Sequence, residues 1–146
     1  MKFLHTMIRI KDMDESLAFY CQGLGLQEVS RYDNEKGRFT LIFLAAPDDL
    51  SSALSHKSPL IELMYNWDAR DYGVGDSFGH LAFAVNDIFE CCAQLESQGI
   101  DILRPPRDGH MAFIKSPDGI SIELLQNGDP LEVGEPWSTM KNIGSW

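Results

Sequence analysis

From residue 4 onward apolar and polar positions alternate: Leu4, Ile8 and Ile10 fall on one side of an extended chain, His5, Met7 and Arg9 on the other, with Thr6 a minor polar interruption of the apolar side. This predicts a strand beginning at His5. Asp12 and Glu15 follow as Asp-x-x-Glu, an acidic variant of the capping box, and predict a helix over 13–23 that stops near Gly25. Leu17, Tyr20 and Leu24 at i, i+3 and i+7 give that helix one apolar stripe. Three strand-like runs come next, at 26–33, 38–45 and 59–65, and the polar stretch Pro47–Ser58 predicts a loop.

The same pattern then recurs. His5-Thr-Met-Ile-Arg-Ile-Lys-Asp12 matches His80-Leu-Ala-Phe-Ala-Val-Asn-Asp87, and His5/His80, Asp12/Asp87 and Glu15/Glu90 are all 75 positions apart. The second half therefore predicts a helix over 88–98 with Ile88, Cys91 and Leu95 inward, a stop at Gly99, and strands at 100–104, 110–115 and 120–126. Pro117-Asp-Gly119 is a tight-turn signature feeding the last of these. Gly25 to Glu62 spans 37 positions and Gly99 to Glu123 spans 24, so the first half is 13 residues longer, and the loop at Pro47–Ser58 absorbs most of the excess. The expected fold class is α+β: two βαβββ modules in tandem, about 1–67 and 78–127. A Gly- and Pro-rich tail over 128–146 lacks periodicity and is expected to dock by Trp137 and Trp146.

A chain of 146 residues is long enough for one real core, and 1–127 reads as a single domain carrying both modules. Its net charge of −10, with no offsetting Lys/Arg cluster, argues against nucleic acid and anionic membrane surfaces as partners. No apolar run approaches the ~20 residues of a membrane span, and Lys2, His5 and Arg9 interrupt the apolar stretch near the start, so a cytoplasmic location is expected. Cys21, Cys91 and Cys92 form no C-x-x-C pair and read as reduced packing residues.

Against this ordinary background four residues stand out. His5 and His80 open equivalent first strands, and Leu60-Ile-Glu62-Leu-Met and Ser121-Ile-Glu123-Leu-Leu each place one Glu in an apolar last strand. A buried carboxylate without a partner costs several kcal/mol or protonates, so each Glu needs a cation or a strong hydrogen-bond donor. Taken singly, a buried His or Glu is more often a satisfied core residue than a ligand. As two matched pairs they suggest one shared partner: if the modules pack with pseudo-twofold symmetry, two His and two Glu form an N2O2 set suited to a divalent transition metal. His56, in a Ser/Lys-rich loop, reads as a surface histidine, and His110 as a turn histidine at the mouth of a strand.

The segments Leu4-His-Thr-Met-Ile-Arg9, Ile61-Glu-Leu-Met-Tyr-Asn-Trp67, Phe78-Gly-His-Leu-Ala-Phe83 and Ser116-Pro-Asp-Gly-Ile-Ser-Ile-Glu-Leu124 resemble the glyoxalase I branch of the vicinal oxygen chelate superfamily, over roughly the first 127 residues. The resemblance implies βαβββ modules whose sheets form a cupped surface around the metal, and a homodimer with sites at the subunit interface. It implies His5, Glu62, His80 and Glu123 as metal ligands, Glu123 as the proton-transferring base, and Arg9 and Asn66 as the residues that hold a carboxylate of glutathione. Arg9 also shares a strand face with His5, and its guanidinium is the natural fork for a carboxylate.

The implied activity is that of a lyase: metal-dependent isomerisation of the methylglyoxal–glutathione hemithioacetal to S-lactoylglutathione, which detoxifies methylglyoxal. Nickel or cobalt is favoured and zinc is possible. One departure bears on the thiol, because Arg104-Pro-Pro-Arg-Asp-Gly109 replaces a longer Gly- and Lys-containing loop of the usual bacterial enzyme. A shortened loop also occurs in relatives that use trypanothione, and the negative charge would suit that cationic thiol. Other classes on the same fold are a metal-dependent epimerase, which typically carries Gln at the position of Glu62, and a metal-free small-molecule binding protein, which lacks the four ligands.

Overall fold

The computed structural model describes residues 2–68, 70–73, 75 and 78–146. They fall into two compact units, Met1–Gly73 and Val74–Trp146. The first holds β1 (His5–Ile10), α1 (Met13–Leu17), β2 (Gln27–Asn34), β3 (Phe39–Ala45), α2 (Leu50–His56) and β4 (Leu60–Asn66). The second holds β5 (His80–Val85), α3 (Ile88–Ser97), β6 (Met111–Lys115) and β7 (Ser121–Gln126).

The expected α+β class holds, and the repeat is visible in the pairing. In the first unit the strand order is β1-β4-β3-β2, with β1 and β4 parallel and the rest antiparallel. In the second it is β5-β7-β6, with β5 and β7 parallel and β6 antiparallel to β7. The segment 100–104, predicted as a strand, instead makes a single bridge between Arg104 and Phe113. Pro105 and Pro106 follow at once and carry no N–H, so the ladder cannot extend beyond Arg104.

Both helices begin as the Asp-x-x-Glu pattern predicts. Asp12 Oδ1 accepts from Glu15 N at 2.8 Å, and Asp87 Oδ1 accepts from Phe89 N and Glu90 N, each at 2.9 Å. The inward faces are rotated from the expected stripes. After Leu17 the first helix widens into a π turn, Ala18–Gly23, and Ser16, Phe19, Tyr20 and Gly23 are buried where Leu17 and Leu24 are only half so. In α3 the buried residues are Ile88, Cys92 and Leu95, so Cys92 takes the place expected for Cys91. Gly25 (φ 73°) and Gly99 (φ 81°) end the helices in the left-handed region, where glycine carries no Cβ penalty.

The stretch Pro47–Ser58, predicted as a loop, is mostly helical: a 3-10 turn at Pro47–Asp49 leads into α2. Its many serines concealed a short apolar spacing, Leu50 to Ala53. Ala53 is fully buried with Ala45 and Leu60, flanked by Val29, Phe43 and Leu50. Ser52 Oγ donates to the Ser58 carbonyl at 2.6 Å and closes the segment.

The tail docks on the second unit as its aromatics suggested. Trp137 is buried and stacks on Phe89 (centroids 6.3 Å), and Trp146 stacks on Phe113 (5.9 Å). Ile143 N donates to the Leu103 carbonyl, Arg107 reaches Met140 O and Asn142 Oδ1, and Lys115 Nζ donates to Ser145 O. Among the described residues, no helix is long and apolar enough to cross a membrane.

Candidate metal centre

Strand alternation and ladder register place each His beside its Glu. In β1 Ile8 and Ile10 are buried while His5, Met7 and Arg9 are exposed on the other face. Parallel pairing sets Met7 opposite Glu62, so Glu62 lies two residues along from His5 on that face. The second unit repeats this, with Ala82 opposite Glu123 and His80 two residues back. His5 Nε2 is 2.8 Å from Glu62 Oε2, and His80 Nε2 is 3.1 Å from Glu123 Oε2. The imidazoles are open, 39% and 43% exposed, whereas the carboxylates are nearly covered at 11% and 14%. Each pair thus presents its nitrogen outward over a carboxylate held in the sheet.

An aromatic ring, not anticipated from the sequence, completes each pair. Phe43 lies across the antiparallel ladder from Glu62, and Phe113 across from Glu123. The Phe43 ring meets His5 edge-on at 5.9 Å, and Phe113 meets His80 at 5.5 Å. The two phenylalanines are 70 rather than 75 positions apart, so the constant offset does not reveal them; strand register does. Each histidine also borders a pocket of about 440 Å³, the first lined by Leu4, Val29, Phe43, Leu54 and Leu60, the second by Phe78, Phe113, Lys115, Ile120 and Trp146.

The donor set fits a divalent ion. Two cis ligands of an octahedral ion with bonds of roughly 2.1 Å lie about 3.0 Å apart, between the two observed separations of 2.8 and 3.1 Å. Each unit supplies two such donors, and among the described residues no group of three or more His, Cys, Asp or Glu side chains is gathered to hold a metal.

Arg9 and Asn66 lie on the same sheet face as His5 and Glu62, four residues further along β1 and β4 respectively. Asn66 Nδ2 donates to Tyr72 Oη at 2.5 Å. His56 is exposed at the end of α2, 2.8 Å from Ser55 Oγ, in keeping with a surface role. His110 precedes β6; its backbone N–H donates to Asp108 Oδ1, while its buried Nδ1 has no hydrogen-bond partner among the described residues.

The short segment 104–109 is braced internally. Arg104 donates to Met111 O and to Asp108 Oδ2, and Asp108 Oδ1 accepts from His110 N and Met111 N. Burial pushes the Asp108 carboxyl upward, but these hydrogen bonds outweigh it and hold its pKa down at about 2. Both arginines of the segment are engaged, Arg104 here and Arg107 with the tail.

Residues 2–124 match the model of the Glyoxalase/Bleomycin resistance protein/Dioxygenase superfamily. Over 131 residues the chain is 39% identical to a probable lactoylglutathione lyase of Vibrio cholerae and 37% identical to a lactoylglutathione lyase of Neisseria meningitidis, covering 86% of this chain and 91% of each relative. Among solved structures it resembles the trypanothione-dependent glyoxalase I of Leishmania major, with a TM-score of 0.76 and 35% identity over 86% of both chains. A duplicated strand–helix–strand unit with a His–Glu pair in each copy is therefore no chance likeness, and the chain belongs to the Glyoxalase/Bleomycin resistance protein/Dioxygenase superfamily.

Proposed function

We infer that this chain is a lactoylglutathione lyase, a glyoxalase I that converts the hemithioacetal of methylglyoxal and glutathione into S-lactoylglutathione. The observation that carries the reading is the pair of matched His–Glu contacts on equivalent parallel strands, 2.8 and 3.1 Å. His5, Glu62, His80 and Glu123 are the ligands of one divalent ion, and each half offers only two. A homodimer, in which each site takes one pair from each copy, would complete the set. Nickel or cobalt suits two imidazoles, two carboxylates and open water positions, and zinc is possible. Three free cysteines go with a cytoplasmic site of action.

The reaction moves one proton between adjacent carbons, so it consumes no redox cofactor. A divalent ion held by these residues would polarise the substrate oxygens and acidify the neighbouring C–H. Glu123, nearly covered yet bordering the open face of His80, takes the C1 proton and returns it to C2. His80, edge-on to Phe113, keeps its Nε2 over that carboxylate. Arg9, exposed on the face of His5, provides a two-pronged donor for a carboxylate of the thiol, and Asn66 adds an amide four residues from Glu62.

The internally braced segment 104–109 leaves neither of its arginines for a thiol carboxylate. That favours testing trypanothione beside glutathione. The experiment is thioester formation from methylglyoxal with each thiol, using metal-stripped protein reloaded separately with nickel, cobalt and zinc. Metal-dependent activity supports the reading, and silence with both thiols under all three metals overturns it. Glu123→Gln should retain metal but lose turnover; an active variant removes Glu123 as the base.

A further inference from the structure

The pocket bordering His80 has a wall that lies outside the residues matched by the family model. That model ends at 124, whereas Trp146 lines the same pocket as His80, Phe113 and Lys115. Trp146 is stacked on Phe113 at 5.9 Å with planes 27° apart, and Phe113 in turn stands edge-on to His80 at 5.5 Å. Three rings therefore run in series from the histidine outward. The outermost is held by two ties to the second unit: Lys115 Nζ to the Ser145 carbonyl at 2.6 Å, and Ile143 N to the Leu103 carbonyl at 2.8 Å. Trp146 keeps 40% of its surface exposed, so part of the indole is open to a ligand.

We propose that Trp146 is a specificity-determining residue: its indole forms the wall against which the side chain of the 2-oxoaldehyde packs, and it favours planar aryl side chains over methyl. This deepens the lyase reading and rests on it. A methyl group leaves most of a pocket of about 440 Å³ to water, whereas a phenyl ring can lie along the Phe113–Trp146 stack and add a third aromatic surface. Ile120 at the same pocket adds apolar surface, and Phe113 sits across the ladder from Glu123, which sets the pocket beside the proposed base; in the hemithioacetal the side chain is borne by C2, next to the C1 that Glu123 deprotonates. The tail is thus part of the site rather than an appendage of the fold.

The test compares kcat/KM for the glutathione hemithioacetals of phenylglyoxal and methylglyoxal in wild type, Trp146→Ala and Trp146→Phe. Trp146→Ala should lower the phenyl-to-methyl ratio by roughly 3- to 10-fold, the worth of one aromatic pair, with Trp146→Phe restoring most of it. Binding gives a second readout. S-benzylglutathione, which cannot react, should change the tryptophan emission of wild type and change it far less in Trp146→Ala, where only Trp67 and Trp137 remain. An unchanged ratio in Trp146→Ala, with wild type active on methylglyoxal, overturns the role of Trp146 and leaves the lyase reading standing. Wild type inactive on both hemithioacetals, with trypanothione as well as glutathione as the thiol, overturns the lyase reading and this inference with it.

Discussion

Gln126 is buried at 6% exposure on the inward face of β7, three residues from Glu123 on the outward face. Its Oε1 accepts from Ile88 N at 2.9 Å, and its Nε2 donates to the carbonyls of Asn86 (2.8 Å) and Asn127 (3.0 Å). With Asp87 capping the next two N–H groups, Gln126 completes the start of α3. Gln126→Met keeps length and volume and removes all three bonds. Ile88 is fully buried, so its N–H would have no water to turn to, a loss of about 1–3 kcal/mol. Asn86 and Asn127 are exposed, and their carbonyls recover most of their bonding from solvent. The sum is about 2–3 kcal/mol, equivalent to roughly 5–10 °C in Tm for a chain of this size. Thermal and urea unfolding followed by far-UV circular dichroism would measure it. A shift below about 2 °C would refute the claim that this side chain is the cap.

Three further outcomes follow from the packing. Gly109 (φ 68°) would place an added Cβ 2.0 Å from the Leu131 carbonyl oxygen, so Gly109→Ala should cost about 3 kcal/mol or more and speed proteolysis within 128–146; a tail as resistant as wild type would count against that contact. Asp108 has its pKa lowered to about 2, so the stability it confers is present above about pH 4 and is lost as pH falls through 2. Because its side chain is 44% exposed, solvent screening reduces that stability to about 1 kcal/mol, and the deficit of Asp108→Asn at pH 7 should shrink to a small fraction at pH 2 in urea titrations. Cys92, pushed up to about 12 by burial, should resist iodoacetamide at pH 7.5 until the protein is unfolded; labelling of native protein at the rate of a free thiol would contradict its placement.

Much of this was legible because the chain states its plan twice. The 75-residue offset marks His5 and His80 as equivalent, and alternation groups His5 with Met7 and Arg9, and His80 with Ala82 and Ala84, on the strand faces that the structure leaves exposed. Errors arose where local pattern and tertiary context diverge. α2 was hidden because Ser51, Ser52 and Ser55 read as loop residues, although Leu50 and Ala53 suffice to seat the helix. The π turn rotated the inward face of the first helix by about one position, a shift that a 3.6-residue period cannot express. The strand expected at 100–104 shrank to one bridge at Arg104, and Pro105 and Pro106, which lack N–H donors, keep that bridge from growing toward the start of β6. Phe43 and Phe113 escaped notice because their roles depend on which residues lie across the ladder, and that is a property of pairing rather than of spacing.

The parallel pairing of first and last strands also bears on how the sites come into being. His5 and Glu62 are 57 positions apart and His80 and Glu123 are 43, and in both units the strand carrying Glu is the last to leave the ribosome. Such contacts close the longest loops between paired strands in each unit and weigh heavily in contact order, so they form late in folding. A His–Glu pair therefore exists only once the sheet of its unit is complete, and under the proposed ligand set a metal ion that needs both donors selects finished sheets over partly folded chains. Metal added during refolding should accordingly act on the native state and slow unfolding far more than it hastens folding.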